Sequence, residues 1–253
     1  MALKPSVCID AVLGELSPPQ ALRVVAEADI KAFEFWGWWD KNLAEIESAR
    51  DHHGMQISAC CTKFISLVDP GLRSDYLAGL NESIATAKQL NCQTLISQVG
   101  DFRPGVSRQD QHQCLVDGLK EAAAELEAND VTLVIEPLNE LIDHAGYYLV
   151  RSDEAFEIID EVSSSHIKVV FDIYHQQISE GQLIANITAN IDKIAHFHAA
   201  GNPGRNELTR GELNYRQIFQ AIQETKYDGY VGLEYWPVND ALAGLKDVAN
   251  WFK

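Results

Sequence analysis

A short apolar run followed by an amphipathic stretch recurs eight times along the chain. This alternation is the pattern of successive βαβ units rather than of an all-α or all-β protein. The apolar runs fall at residues 7–9, 32–36, 56–60, 94–97, 132–136, 169–172, 194–198 and 231–234. Helix-start signals lie between them: Ser17 ahead of Pro18, and Asp40, Ser107, Ser152 and Asp240 ahead of periodic apolar positions. Gly54 and Asn129 are expected to end two helices in the left-handed conformation. Eight units in 253 residues leave about 32 residues each, the length of a strand, a crossover helix and two loops. The fold class expected is α/β, a closed (β/α)8 TIM barrel forming one domain over residues 1–253. A doubly wound open sheet shares the alternation, and the unit count and the placement of polar residues favour the barrel. No linker divides the chain, and no G-x-G-x-x-G or Walker motif follows a strand.

Charge removes several functions. Lys and Arg number 20 against 37 Asp and Glu, a net charge of −17 that repels polyphosphate and argues against nucleic acid as a partner, a DNA-repair endonuclease included. The hydrophobic share of 46% and charged share of 23% are those of a chain that buries a sizeable core. No apolar run reaches membrane-spanning length, and Asp10, Glu15 and prolines interrupt the first 25 residues where a signal peptide needs an apolar stretch. A soluble cytoplasmic protein is expected. The five cysteines, Cys8, Cys60, Cys61, Cys92 and Cys114, are odd in number and lack C-x-x-C spacing, so they read as small thiols in a reducing compartment.

In a parallel barrel the C-terminal strand ends and the loops after them form one concave face. The last four strands close on Glu136, Asp172, His198 and Glu234, spaced by 36, 26 and 36 residues, so four neighbouring strands each present one metal-capable side chain. Three carboxylates in one pocket repel one another unless a cation neutralises them. Three oxygens and one imidazole suit Mn2+, Mg2+ or Co2+ better than the sulfur- or histidine-rich sets of structural zinc. The ordinary alternative is three unrelated solvated loop carboxylates, and His196 of the pair His196 and His198 is read as a core residue. His52, His53, His112, His144 and His166 fall in helices or loops and are read as structural.

Further polar and aromatic residues share these loops. His175 lies three residues past Asp172, and Arg205 in the turn Gly201-Asn202-Pro203-Gly204-Arg205-Asn206-Glu207 could bring a guanidinium fork to an oxygen-rich ligand. Phe35, Trp36, Trp38 and Trp39 follow the second strand. Trp36 and Trp236 are the candidates for a wall packing on the C–H face of a sugar, with plugging of the barrel rim as the alternative.

The segments Ile135-Glu136-Pro137-Leu138-Asn139, Phe171-Asp172-Ile173-Tyr174-His175, Glu180-Gly181-Gln182-Leu183, Pro203-Gly204-Arg205-Asn206-Glu207, Gly211-Glu212-Leu213-Asn214-Tyr215 and Tyr230-Val231-Gly232-Leu233-Glu234-Tyr235 together resemble the hydroxypyruvate isomerase family. That family lies within the xylose isomerase-like barrels, near the sugar 3-epimerases of the tagatose and psicose type. The resemblance spans nearly the whole chain and implies an aldose–ketose isomerase or epimerase working through a cis-enediolate. It makes Glu136 and Glu234 the proton-transfer pair, Asp172 and His198 the remaining ligands of one divalent ion, and His175 and Arg205 holders of substrate oxygens. It also suggests a dimer or tetramer. Two departures bear on substrate. Many members of the isomerase family carry Gln at the position of His198, whereas the metal-dependent epimerases carry His, and the oxo-acid members carry Lys at the position of Trp236. A neutral ketose is therefore as good an expectation as a hydroxy-oxo acid. The competing functions are an inosose dehydratase-like lyase and a non-catalytic metal- or sugar-binding barrel.

Overall fold

The strands find their partners through a repeated parallel register. In the computed structural model, which describes residues 3–252, β1 (Lys4–Cys8), β2 (Ala32–Phe35), β3 (Gln56–Cys61), β4 (Thr94–Ser97), β5 (Thr132–Ile135), β6 (Ile167–Asp172), β7 (Ile194–Ala199) and β8 (Tyr230–Leu233) follow one another round a closed barrel. β8 pairs with β1 in parallel through Lys4 opposite Tyr230 and Val7 opposite Leu233, which closes the ring. The expected (β/α)8 barrel is the fold observed, and the open-sheet alternative is excluded by that pairing.

Side-chain parity decides what each strand buries. Leu133 and Ile135, Val169 and Phe171, and Val231 and Leu233 belong to the large core under the surrounding helices, while Val134 and Val170 join Ala59, Cys61 and Ile96 in a second, smaller cluster. Successive strand residues face opposite sides. Glu136 therefore shares a face with Val134, Asp172 with Val170, His198 with His196 and Glu234 with Gly232, two residues further toward the open end in each case. The same apolar alternation that builds the wall lifts the four polar groups to its rim.

Local signals account for the helices. Ser17 forms a capping box with Gln20 and stands before Pro18, Ser107 accepts the backbone N–H of Asp110, and Asp240 accepts that of Ala243, each satisfying an otherwise unpaired helix N–H. Gly54 ends the helix Leu43–His53 at φ 61°. Three expected boundaries move. Asn42 caps the helix expected to start at Asp40, because its side chain stands three residues before Glu45 and can accept that N–H. Arg151 occupies the cap position one residue before Ser152, and the left-handed residue after the helix Arg108–Asn129 is Asp130 and not Asn129. Cys8, Cys60, Cys61 and Cys92 are buried, Cys114 is partly exposed, and all five are free thiols. Among the described residues, no helix is long and apolar enough to cross a membrane.

Candidate metal and substrate site

At the C-terminal end of the barrel one ligand atom from each of Glu136, Asp172, His198 and Glu234 falls within 4.8 Å of all the others, and all four residues are buried. The sequence expectation that these strand ends face one point is thus matched by their placement. Glu136 follows β5 and is followed at once by Pro137, whose missing N–H ends the ladder. Its Oε1 lies 3.0 Å from Nδ1 of His198. Asp172 ends β6 and caps the next turn, its Oδ1 accepting the N–H groups of Tyr174 at 2.7 Å and His175 at 3.1 Å. That commitment leaves Oδ2 facing the cluster, 3.9 Å from the Arg205 guanidinium. Glu234 follows β8 and is held at both oxygens: Trp36 Nε1 donates to Oε1 at 2.7 Å, and Arg205 donates to Oε2 at 2.6 Å.

The charges respond to this crowding. Burial pushes the Glu136 carboxyl above the ordinary range, as do Glu234 and Asp172, against the pull of His198. Burial likewise raises Asp172 despite Arg205 and His198. For Glu234 burial acts upward too, but His198, Arg205 and the Trp36 hydrogen bond outweigh it and hold the group low. Burial works against a charged His198, yet Glu234, Glu34 and the contact with Glu136 raise its pKa well above that of a free imidazole. Three converging buried carboxylates thus favour a positive charge in their midst, part of which Arg205 supplies. Their oxygens and the imidazole nitrogen form a donor set that fits a divalent cation, which would satisfy the same demand.

Glu34 stands behind the cluster and was not identified from the sequence. Its Oε1 lies 3.0 Å from Nε2 of His198, while Oε2 accepts from His196 Nε2 and Ser58 Oγ, both at 2.9 Å. Glu34, His196 and His198 form a second group of ligand-capable side chains sharing His198 with the first. His196 is a buried residue as expected, but one engaged in this polar group. Gly232 makes the space: a Cβ there would come within 2.1 Å of Glu34 Oε1 and 2.7 Å of His198 Cδ2. The signal for Glu34 is a carboxylate set inside the run Ala32-Phe33-Glu34-Phe35, since a charge in a buried strand requires a partner.

Above the cluster opens a cavity of about 310 Å³. Glu136, His198, Arg205 and Glu234 lie at its polar side, Trp36, Phe64, Ile96, Leu138 and Trp236 form apolar walls, and Cys61, Gln98 and His144 complete the lining. Trp36, Trp236 and Arg205 are therefore brought to the cavity. The guanidinium packs over the Trp236 ring at 4.7 Å and the Tyr174 ring at 5.3 Å. Its loop is fixed by Gly211, at φ 93° with no room for a Cβ, which would meet the Asn202 carbonyl at 2.1 Å. His175 is not among the residues lining it: the ring is wholly buried beside Asp172, with Nε2 3.6 Å from Asp172 Oδ2. His144, read from sequence as structural, takes a place on the cavity wall. Phe35 is core, and Trp39 packs edge-on to Phe64 at 5.2 Å.

Residues 22–253 match the model of the xylose isomerase-like TIM barrel family. The hydroxypyruvate isomerase of Escherichia coli K12 is 37% identical over 177 residues, covering 70% of this chain and 68% of that one. Among solved structures, an AP endonuclease, family 2, from Brucella melitensis superposes with a TM-score of 0.93 at 24% identity, covering all of both chains. D-psicose 3-epimerase from Clostridium cellulolyticum H10 superposes with a TM-score of 0.80 at 17% identity, covering 98% of this chain and 92% of that one. Both likenesses are of fold.

Proposed function

Because the chain belongs to the xylose isomerase-like TIM barrel family, we propose that it is an isomerase or epimerase of a sugar or short hydroxy-oxo acid, acting through a cis-enediolate. The observation that carries this reading is the meeting of Glu136 and Glu234 with Asp172 and His198 beneath one cavity. The sequence likeness to a hydroxypyruvate isomerase supports it independently.

The proton α to a carbonyl is weakly acidic, so a site that removes it must favour the enediolate over the substrate. Glu136, Asp172, His198 and Glu234 are the residues that would hold a divalent ion, Mn2+, Mg2+ or Co2+. Such an ion supplies a Lewis acid for the carbonyl oxygen and its neighbouring hydroxyl. Glu136 and Glu234 are the proton-transfer pair. One takes the proton from carbon; return by the same residue to the adjacent carbon gives the isomer, and delivery by the other to the original carbon from the opposite face gives the epimer. Arg205 and His175 hold substrate oxygens, and Trp36 and Trp236 flank the C–H face of the substrate.

The walls favour a neutral ketose over an oxo acid. Arg205 is already committed to Glu234, and position 236, where the oxo-acid members carry Lys, places an indole on the cavity. A substrate carboxylate would enter beside three others whose charge already engages Arg205 and the bound ion. A cytoplasmic setting and association as a dimer or tetramer belong to the same reading. The free thiols support the first, and Leu141 and Ile142, 76% and 66% exposed in the loop after β5, support the second.

The test is to incubate the Mn2+-loaded protein in D2O with short ketoses, aldoses and hydroxy-oxo acids, following deuterium entry by NMR. Deuterium at the carbon next to the carbonyl, with product of unchanged formula, is the expected result. Loss of water would identify a lyase, and binding without exchange a non-catalytic barrel.

A further inference from the structure

Asn139 lies three residues beyond Glu136, and its amide is oriented by the backbone around it. Oδ1 accepts the N–H groups of Ile142 at 3.0 Å and Asp143 at 3.2 Å, so the opposite end of the amide is the NH2 group. That nitrogen donates to Asp143 Oδ2 at 2.7 Å and to Nδ1 of His175 at 2.7 Å. The backbone N–H of Asn139 points at the same ring nitrogen, 3.2 Å away. Two donors converging on Nδ1 require its lone pair, so the ring proton sits on Nε2. A protonated ring would set N–H against N–H.

Nε2 of His175 is buried and has no hydrogen-bond partner; the carboxylate oxygen nearest it is Oδ2 of Asp172, at 3.6 Å. A buried donor without an acceptor is costly and rare in folded proteins. Its retention here, beside a cluster built to take a ligand, is accounted for if an incoming oxygen supplies the missing acceptor.

We propose that Asn139 is a positioning residue that locks His175 in the Nε2–H tautomer, making it a neutral hydrogen-bond donor on the Asp172 side of the cluster and neither an acid nor a base in the reaction. The acceptor's identity as a substrate oxygen rests on the function proposed above; the tautomer does not.

The experiment combines nitrogen-detected imidazole NMR of the intact protein with kinetics on whichever substrate shows deuterium exchange. In the wild type, His175 carries its proton on Nε2, with and without Mn2+. Asn139→Asp keeps an oxygen for the Ile142 and Asp143 N–H groups but can only accept at the other, which drives a proton onto Nδ1. The expected outcome is a changed His175 signal, a melting temperature lowered by the carboxylate pair formed with Asp143, and a loss of about 10- to 100-fold in kcat/KM, mostly in KM. His175→Gln, whose amide can put an N–H near the Nε2 position, should fall less than tenfold, and His175→Ala a hundredfold or more. A wild-type proton on Nδ1 overturns the inference. So does an Asn139→Asp variant with altered tautomer and unaltered kcat/KM, or a Gln variant as impaired as Ala. If the wild type exchanges no substrate, the functional proposal fails while the NMR result still decides the tautomer.

Discussion

Nε2 of His198 faces Oε1 of Glu34 across 3.0 Å. The carboxylate leaves the other ring nitrogen, Nδ1, turned toward Glu136, and a carboxylate behind a histidine ligand commonly fixes both its orientation and its basicity. Glu34→Gln should weaken Mn2+ binding by about 10- to 100-fold, the usual effect of removing such a partner, as read by titration calorimetry. Circular dichroism should show the barrel still folded. Unchanged affinity would mean that the ring is held by its strand alone.

The two glutamates are expected to fail differently from their surroundings. Glu136→Gln and Glu234→Gln each keep the shape of the side chain but cannot exchange a proton, and positioned acid–base groups contribute ~10²- to 10⁴-fold. Turnover in either variant should drop by that range, with melting temperatures near that of the parent. Activity within a few-fold of wild type in both would remove the pair from the chemistry.

Arg205 depends on a loop held by Gly211. A side chain at φ 93°, 2.1 Å from the Asn202 carbonyl, forces the backbone to move, and a left-handed or more extreme conformation costs a non-glycine residue about 1–3 kcal/mol. Gly211→Ala should lower the melting temperature and displace the guanidinium from Glu234, raising KM. Crystallography or the fluorescence of Trp236, over which Arg205 packs, would detect the displacement.

Asp143 gives a pH dependence that can be read on stability. Partial burial raises its pKa, but hydrogen bonds from Asn139 and Tyr174, with the charge of Arg205, outweigh it and leave the carboxyl below its ordinary value. A folded-state pKa below the unfolded one contributes stability that is complete above the ordinary carboxylate pKa of about 3.9 and is lost as pH falls through the lower folded value. Denaturant titrations should show Asp143→Asn less stable than wild type at neutral pH, with the gap narrowing below about pH 4. A gap independent of pH would assign the effect to packing.

The barrel and four polar groups of the candidate site are legible in the sequence for one reason. Strand parity repeats every two residues and strand spacing every unit, so Glu136, Asp172, His198 and Glu234 can be placed on one face without knowing any loop. Glu34 carries one local signal, a charge inside an apolar run, but that signal names no role, because its partners His196 and His198 arrive only from β7. His144 reaches the cavity through a loop path, which follows no periodicity, whereas Gln98, directly after β4 and two residues past the inward-facing Ile96, stands level with Glu136 and was open to the same parity argument. His175 shows the limit from the other side: its place three residues after Asp172 is readable, yet the turn that Asp172 caps buries the ring beside that carboxylate and outside the lining. Asn42 displaced Asp40 as a cap because both residue types can accept a helix N–H, and only the backbone path selects between them.

β1 donates no group to the cluster, yet it acts as its gauge. Val7 pairs with Phe33 on one side and Leu233 on the other, so the heights of Glu34 and Glu234, each the next residue along, are both measured from one valine. The Trp36–Glu234 hydrogen bond bridges the two flanking strands past the end of β1, and Asp10, just beyond it, anchors the Trp36 backbone. A slip of one residue along either seam would shift a glutamate by about 3.3 Å and turn it to the wrong face. Substitutions deep in this mute strand should therefore masquerade as catalytic lesions, silencing the enzyme while every reacting group remains in the sequence.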